Sequence, residues 1–246
     1  MFLALLFFGG ILSGLYGSSV GSSGLISFPL VLLTGLPIHT AIATNRFGSI
    51  FVELGSAARF HREKELDFKL GILFGIIAAL GSFIGSNLAI TFDEKYLNLV
   101  TAVLLLLAFV ILVFKNNLGI AQREPSRKHW IISTILTFLL GIYGGFFGTG
   151  FGTLMTFVFV LVGFNFIKSA AVSRVVGLIM SIVATAVFAF HGLINYPYAL
   201  ALGFGLLIGG WVGVEIGIKK GNGYVRVLFI IILLATIAKL VFDFFK

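Results

Sequence analysis

Residues 99–114 run for sixteen positions without a charged side chain, and residues 130–142 and 225–245 approach the same character. A helix needs roughly 20 apolar residues to cross a hydrocarbon core of about 30 Å. Only 11% of the 246 residues are charged, 59% are hydrophobic, and the mean hydropathy is +1.13. That is too little charge to cover a water-facing surface, and it marks an integral membrane protein. The runs do not alternate with polar residues, as the strands of a membrane barrel would. The sequence therefore predicts an all-α, polytopic helical bundle with almost no domain outside the bilayer.

A shift of 128 residues aligns the two halves of the chain without a gap. Gly17 then meets Gly145, Gly24 meets Gly152, Gly35 meets Gly163, Gly75 meets Gly203, Gly81 meets Gly209 and Gly85 meets Gly213. Arg46 meets Arg174 and Tyr96 meets Tyr224. Such coincidence is the signature of an internal repeat. It divides the chain into a membrane repeat over 1–114, a polar linker over 115–128 and a second membrane repeat over 129–246. Each repeat opens with a segment broken by glycine and small polar residues, then continues with three ordinary spans. The broken segments are expected as two pieces each, 2–16 with 25–33 and 130–142 with 153–162. The spans are expected near 37–60, 68–91 and 95–114, then 165–191, 197–218 and 223–245. The opening stretch has no basic start and no small-residue cleavage pattern, so it reads as part of the mature chain.

Basic residues decide how the halves are oriented, because Lys and Arg accumulate in cytoplasmic loops. Of the 17 Lys and Arg, Arg46, Arg174 and Lys239 fall within spans, which leaves 14. If each broken segment crosses the membrane once, nine of these lie inside and five outside. If it returns to its own side, crossing twice or re-entering, the halves are inverted and the balance becomes 12 to 2. The inverted arrangement is therefore expected, with the 115–128 linker cytoplasmic. The net charge of +8 belongs to these loops and needs no nucleic-acid partner.

Backbone that leaves helical geometry at membrane depth must line a protein or water-filled cavity, since lipid cannot satisfy its N–H and C=O groups. A helix starting there points free amides and a partial positive charge at whatever precedes it. Ser18, Ser19, Ser22, Ser23 and Gly24 surround the first break; Gly148, Thr149, Gly150 and Thr153 surround the second. Two such ends facing each other form a pattern shared by secondary transporters. The glycines at 205, 209, 213 and 217, and at 81 and 85, recur every fourth residue and read instead as helix-packing ridges. Those at 17–24 and 144–152 are irregular and mixed with hydroxyls, which favours a site.

Charge comes from the next span. Arg46 in TNRF and Arg174 in VSRV occupy equivalent places, each with a planar fork suited to an oxyanion. The competing reading is that both snorkel to lipid headgroups. Thr44, Asn45 and Ser173 stand beside them as co-ligand candidates. Glu53, two turns beyond Arg46, is expected to neutralise Arg46 or Arg59, or to carry a coupling proton or cation. Glu215 is a second intramembrane carboxylate, expected in a structural hydrogen bond or in ion coupling. RFHREKELDFK at 59–69 reads as a solvated loop.

Nothing points to an enzyme. The chain lacks G-x-x-x-x-G-K-[ST] and H-E-x-x-H, and it implies no cofactor or metal. With no cysteine, disulfides and thiol chemistry are excluded. The Gly/Ser turn, Pro37, ATNRF at 43–47, GGFFGTGFG at 144–152 and the duplication together resemble the TauE/SafE sulfite exporter family. The first motif departs from the family's denser glycine pattern, carrying SSVGSSG at 18–24. The resemblance implies a permease for a sulfur-containing anion such as sulfite or an organosulfonate. In that reading the partners are a small anionic solute, the bilayer and a coupling ion, with a homo-oligomer left open. The alternative from another class is a non-transport assembly or scaffold subunit that uses its glycine ridges for partners.

Overall fold

The computed structural model describes residues 2–18, 23–91, 119 and 126–244, with backbone alone at 25, 232, 233 and 235–244. The expected span at 95–114, nearly all of the 115–128 linker, Ser19 and Ser22 lie outside the described residues. The described elements are all helical: α1 (Phe2–Gly17), α2 (Gly24–Leu32), α3 (Ile38–Arg62), α4 (Phe68–Ala89), α5 (Arg127–Phe146), α6 (Phe151–Val162), α7 (Phe166–Phe190) and α8 (Tyr196–Phe244). Adding 128 to the bounds of α3 gives 166 and 190, the bounds of α7.

Among the described residues four stretches are long and apolar enough to cross a membrane: Phe68–Leu88, Arg127–Phe146, Phe166–Phe190 and Tyr196–Ile231. At 25 residues α3 is long enough as well, but Thr44, Asn45, Arg46, Glu53 and Arg59 interrupt its apolar character. At a rise of about 1.5 Å per residue, nine-residue α2 and twelve-residue α6 are half-helices. Large apolar side chains such as Phe8, Leu80, Phe83, Ile135 and Phe204 point outward, while Thr44, Arg46, Glu53, Thr153 and Arg174 are buried. That distribution is inside out for a water-soluble fold, and it is what a lipid-facing bundle with a polar interior requires.

The helices pair reciprocally between halves. α1 lies along α8 and α5 along α4; α3 packs on α8 and α7 on α4; α3 and α7 meet at the centre. Glycines bring the first two pairs to backbone contact. A Cβ added at Gly205 would fall on the Phe7 carbonyl, at Gly209 on that of Ile11, and at Gly81 on that of Phe138. These are the ridges expected from the four-residue spacing.

Three local features differ from expectation. α5 does not stop near 142 but continues through Phe146. The reason is packing: Gly141 and Gly145 sit four apart against the Ala78 and Ser82 carbonyls of α4, so the glycines at 144 and 145 lie within a helix and not in the turn. The expected spans at 197–218 and 223–245 are present as two helices, but they meet at a kink at Gly221 (φ 80°, ψ 177°) with no loop between them, a conformation essentially reserved for glycine. Arg59 belongs to α3 and not to a solvated loop; it is buried, 2.8 Å from Glu63 and 3.6 Å from Glu215, with its guanidinium over Trp211.

Candidate functional site

The helix starts fall into two chemical kinds. Those of α4, α5, α7 and α8 are capped by side chains: Asp67 accepts from the Leu70 amide (3.1 Å), Ser126 from His129 (3.5 Å), Asn165 from Lys168 (2.8 Å) and Asn195 from Tyr198 (3.2 Å). Such caps satisfy the orphan amides of a first turn. The half-helices α2 and α6 begin at Ser23 and Gly150, and α3 at Pro37, with no side-chain cap. Of their leading amides, Ile26 donates to the Ser23 carbonyl and Phe151 to the Gly148 carbonyl, both at 3.1 Å.

The second break is only four residues long, 147–150. Gly148 and Gly150 both have positive φ (77° and 84°), where a side chain costs about 1–2 kcal/mol. The Tyr143 hydroxyl donates to the Thr149 carbonyl and steadies the turn from within α5. At the first break the Ser13 hydroxyl donates to the Ser23 carbonyl at 2.5 Å, and that carbonyl also accepts the Ile26 and Ser27 amides at 3.1 Å. The two breaks meet: a Cβ on Gly24 would lie 3.5 Å from Thr149 Cα and 3.8 Å from its Oγ1. Phe28 of α2 stacks edge-on against Phe147, with ring centroids 5.5 Å apart.

The arginines cross between the halves. Arg46 on α3 donates through Nη2 to the Gly144 carbonyl in the last turn of α5, and its guanidinium fills the space a Cβ of Gly148 would need. Arg174 on α7 donates through Nη2 to the Gly17 carbonyl at the end of α1 (3.3 Å) and through Nη1 to Glu53 Oε2 (3.2 Å). Each arginine thus meets the carbonyl-bearing, partially negative end of the other half's first helix. Neither snorkels outward: Arg46 is 6% exposed and Arg174 1%. The partner of Glu53 is therefore Arg174, 121 residues away, and not Arg46 or Arg59. Glu53 rests on Gly177, where a Cβ would come within 2.9 Å of its Oε1. Among the described residues no carboxylate pairs with Arg46.

Several buried polar atoms have no hydrogen-bond partner among the described residues: Ser18 Oγ, Ser27 Oγ, Asn45 Oδ1, Arg46 Nε, Thr149 Oγ1, Thr153 Oγ1 and Arg174 Nε. Buried polar groups are ordinarily paired in more than nine cases of ten; His39 Nδ1, Ser56 Oγ, Arg59 Nε, Ser169 Oγ and Thr185 Oγ1 are likewise without a hydrogen-bond partner among the described residues, so the breaks share this feature with other parts of the interior. The remaining candidates are engaged elsewhere. Thr44 accepts the Asn195 amide at 3.0 Å ahead of α8. Ser173 donates to the Ser169 carbonyl at 2.7 Å and accepts from Thr156 at 3.3 Å. Glu215 is held by Lys219 at 2.7 Å and Arg59 at 3.6 Å, away from both breaks. Tyr143, Ser13 and Ser27 escaped the sequence reading; the only signal for them was a polar group inside an otherwise apolar run.

Residues 5–240 match the model of the family described as Sulfite exporter TauE/SafE. A probable membrane transporter protein of Haemophilus influenzae is 28% identical over 242 residues, covering 98% of this chain and 95% of the relative. The probable membrane transporter protein YfcA of Escherichia coli K12 is 26% identical over 99% of this chain and 91% of its own length. YdhB of Bacillus subtilis, also a probable membrane transporter protein, is 26% identical over 87% and 89%. No solved structure matches the chain.

Proposed function

The chain belongs to the sulfite exporter TauE/SafE family, and from that premise we propose how it works and on what. It is a multi-pass membrane transporter. We propose that it is a secondary permease for a sulfur-containing anion, sulfite or an organosulfonate, held where the two breaks meet. The observation that carries this reading is Arg46: a buried cation with no carboxylate in salt-bridge range among the described residues, seated on Gly148 just ahead of the uncapped start of α6, where the hydroxyls of Thr149 and Thr153 are unpaired. A buried cation without a counter-charge is costly, and an anion meets that need. Amides and hydroxyls complete the coordination of its oxygens.

In this reading Arg46, Ser18, Thr149, Thr153 and the backbone at Gly24, Gly148 and Gly150 contact the solute. Asn45, Arg174 and Glu53 frame it. Ser23 extends the hydroxyl lining of the first break, while Thr44 and Ser173 hold α8 and α6 in register. The burial of the arginines corresponds to a form occluded from both sides. Opening to either face would proceed by alternating access between inverted halves, in the plasma membrane and with the 115–128 linker cytoplasmic. The test is flux. Purified protein in liposomes is expected to move methanesulfonate or sulfite saturably, whereas a rate equal to that of protein-free liposomes contradicts the reading.

A further inference from the structure

The interior charges divide into two groups. Arg59 at the end of α3 sits with Glu63, Glu215 and Lys219, two cations against two carboxylates. At the centre stand Arg46, Arg174 and Glu53, two guanidiniums against one carboxylate, and these complete the set of buried charged residues among those described. The centre therefore carries one positive charge in excess.

The repeat is uneven on this point. The residue 128 positions beyond Glu53 is Ser181, so only one of the two equivalent arginines has a carboxylate opposite it. Glu53 is fixed where it is. Its carboxylate meets Arg174 at 3.2 Å and lies in the notch left by Gly177. It also stands two turns from Arg46 on the same face of α3.

We infer that Glu53 sets the charge of the guest: by neutralising Arg174 it leaves a site matched to a singly charged oxyanion and discriminates against doubly charged ones. A monoanion balances the single excess charge, whereas a dianion would leave one negative charge uncompensated in a low-dielectric interior. Glu53 is in this sense a specificity-determining residue that acts by neutralising Arg174 and does not touch the solute. The inference rests on the anion-site reading above.

The experiment is isothermal titration of the purified full chain with methanesulfonate and with sulfate at matched ionic strength. Wild type is expected to bind methanesulfonate at least roughly tenfold more tightly than sulfate, an effect well within what one uncompensated charge exerts at an effective dielectric of about 20. Glu53→Gln, with two guanidiniums and no carboxylate, is expected to gain sulfate affinity relative to methanesulfonate by a similar factor. The double variant Glu53→Gln with Arg174→Gln returns to one excess charge and should recover the wild-type preference, which a purely structural role for Glu53 would not produce. A wild-type preference for sulfate overturns the inference even if the variants do not fold. So does an unchanged preference in Glu53→Gln that still binds both anions. Absence of binding by wild type to either anion overturns the site reading itself.

Discussion

Arg46 and Arg174 stand 128 residues apart at equivalent places in α3 and α7, and both reach across to a carbonyl at the end of the first helix of the opposite half. They differ in what else they meet. Arg174 has a carboxylate at 3.2 Å, whereas Arg46 has none among the described residues and packs on the bare backbone of Gly148. α3 and α7 have matching bounds, and one acidic residue makes their arginines chemically unequal. In the reading proposed above, the neutralised arginine serves the fold and the other is left with charge to offer.

That contrast predicts opposite phenotypes for one substitution made twice. Arg174→Ala leaves Glu53 buried without its partner and should destabilise the protein by about 3–5 kcal/mol, read from unfolding in detergent. Arg46→Ala removes a cation without stranding an anion, so its cost should be smaller, about 1.5–3 kcal/mol for the hydrogen bond to a carbonyl. Equal losses would erase the distinction between the two arginines. Gly148→Ala sharpens the comparison from the other side. It forces a side chain into positive φ, costing about 1–2 kcal/mol, and displaces the Arg46 guanidinium. Its expected signature is weakened anion binding out of proportion to a modest stability loss; wild-type affinity would show that the seat of Arg46 on Gly148 is incidental.

The membrane class, both breaks and the helices that follow them were legible in the sequence. The expected 37–60 and 165–191 lie within two residues of α3 and α7, because Pro37 and Asn165 mark the starts and apolar runs of bilayer length leave little choice. The glycine ridges were legible too, since their spacing alone specifies a flat helix face. What escaped was everything decided across the chain. Nothing local to Glu53 names Arg174 as its partner, and nothing local to Arg46 reveals that a carbonyl 98 residues away accepts its proton. Glycine itself was ambiguous within one motif: Gly145 packs on α4, whereas Gly148, three residues on, supplies a positive φ. Only the neighbouring helix separates those uses.

The most direct measurement compares anion-dependent stabilisation in wild type and Arg46→Ala. Binding to the folded form raises apparent stability in proportion to the logarithm of ligand occupancy, so thermal unfolding against increasing methanesulfonate reports the site without requiring transport. Wild type should show a saturable rise in unfolding temperature, and folded Arg46→Ala should show none. A rise of the same size and concentration dependence in both proteins would remove Arg46, and the junction of the two breaks with it, from the account.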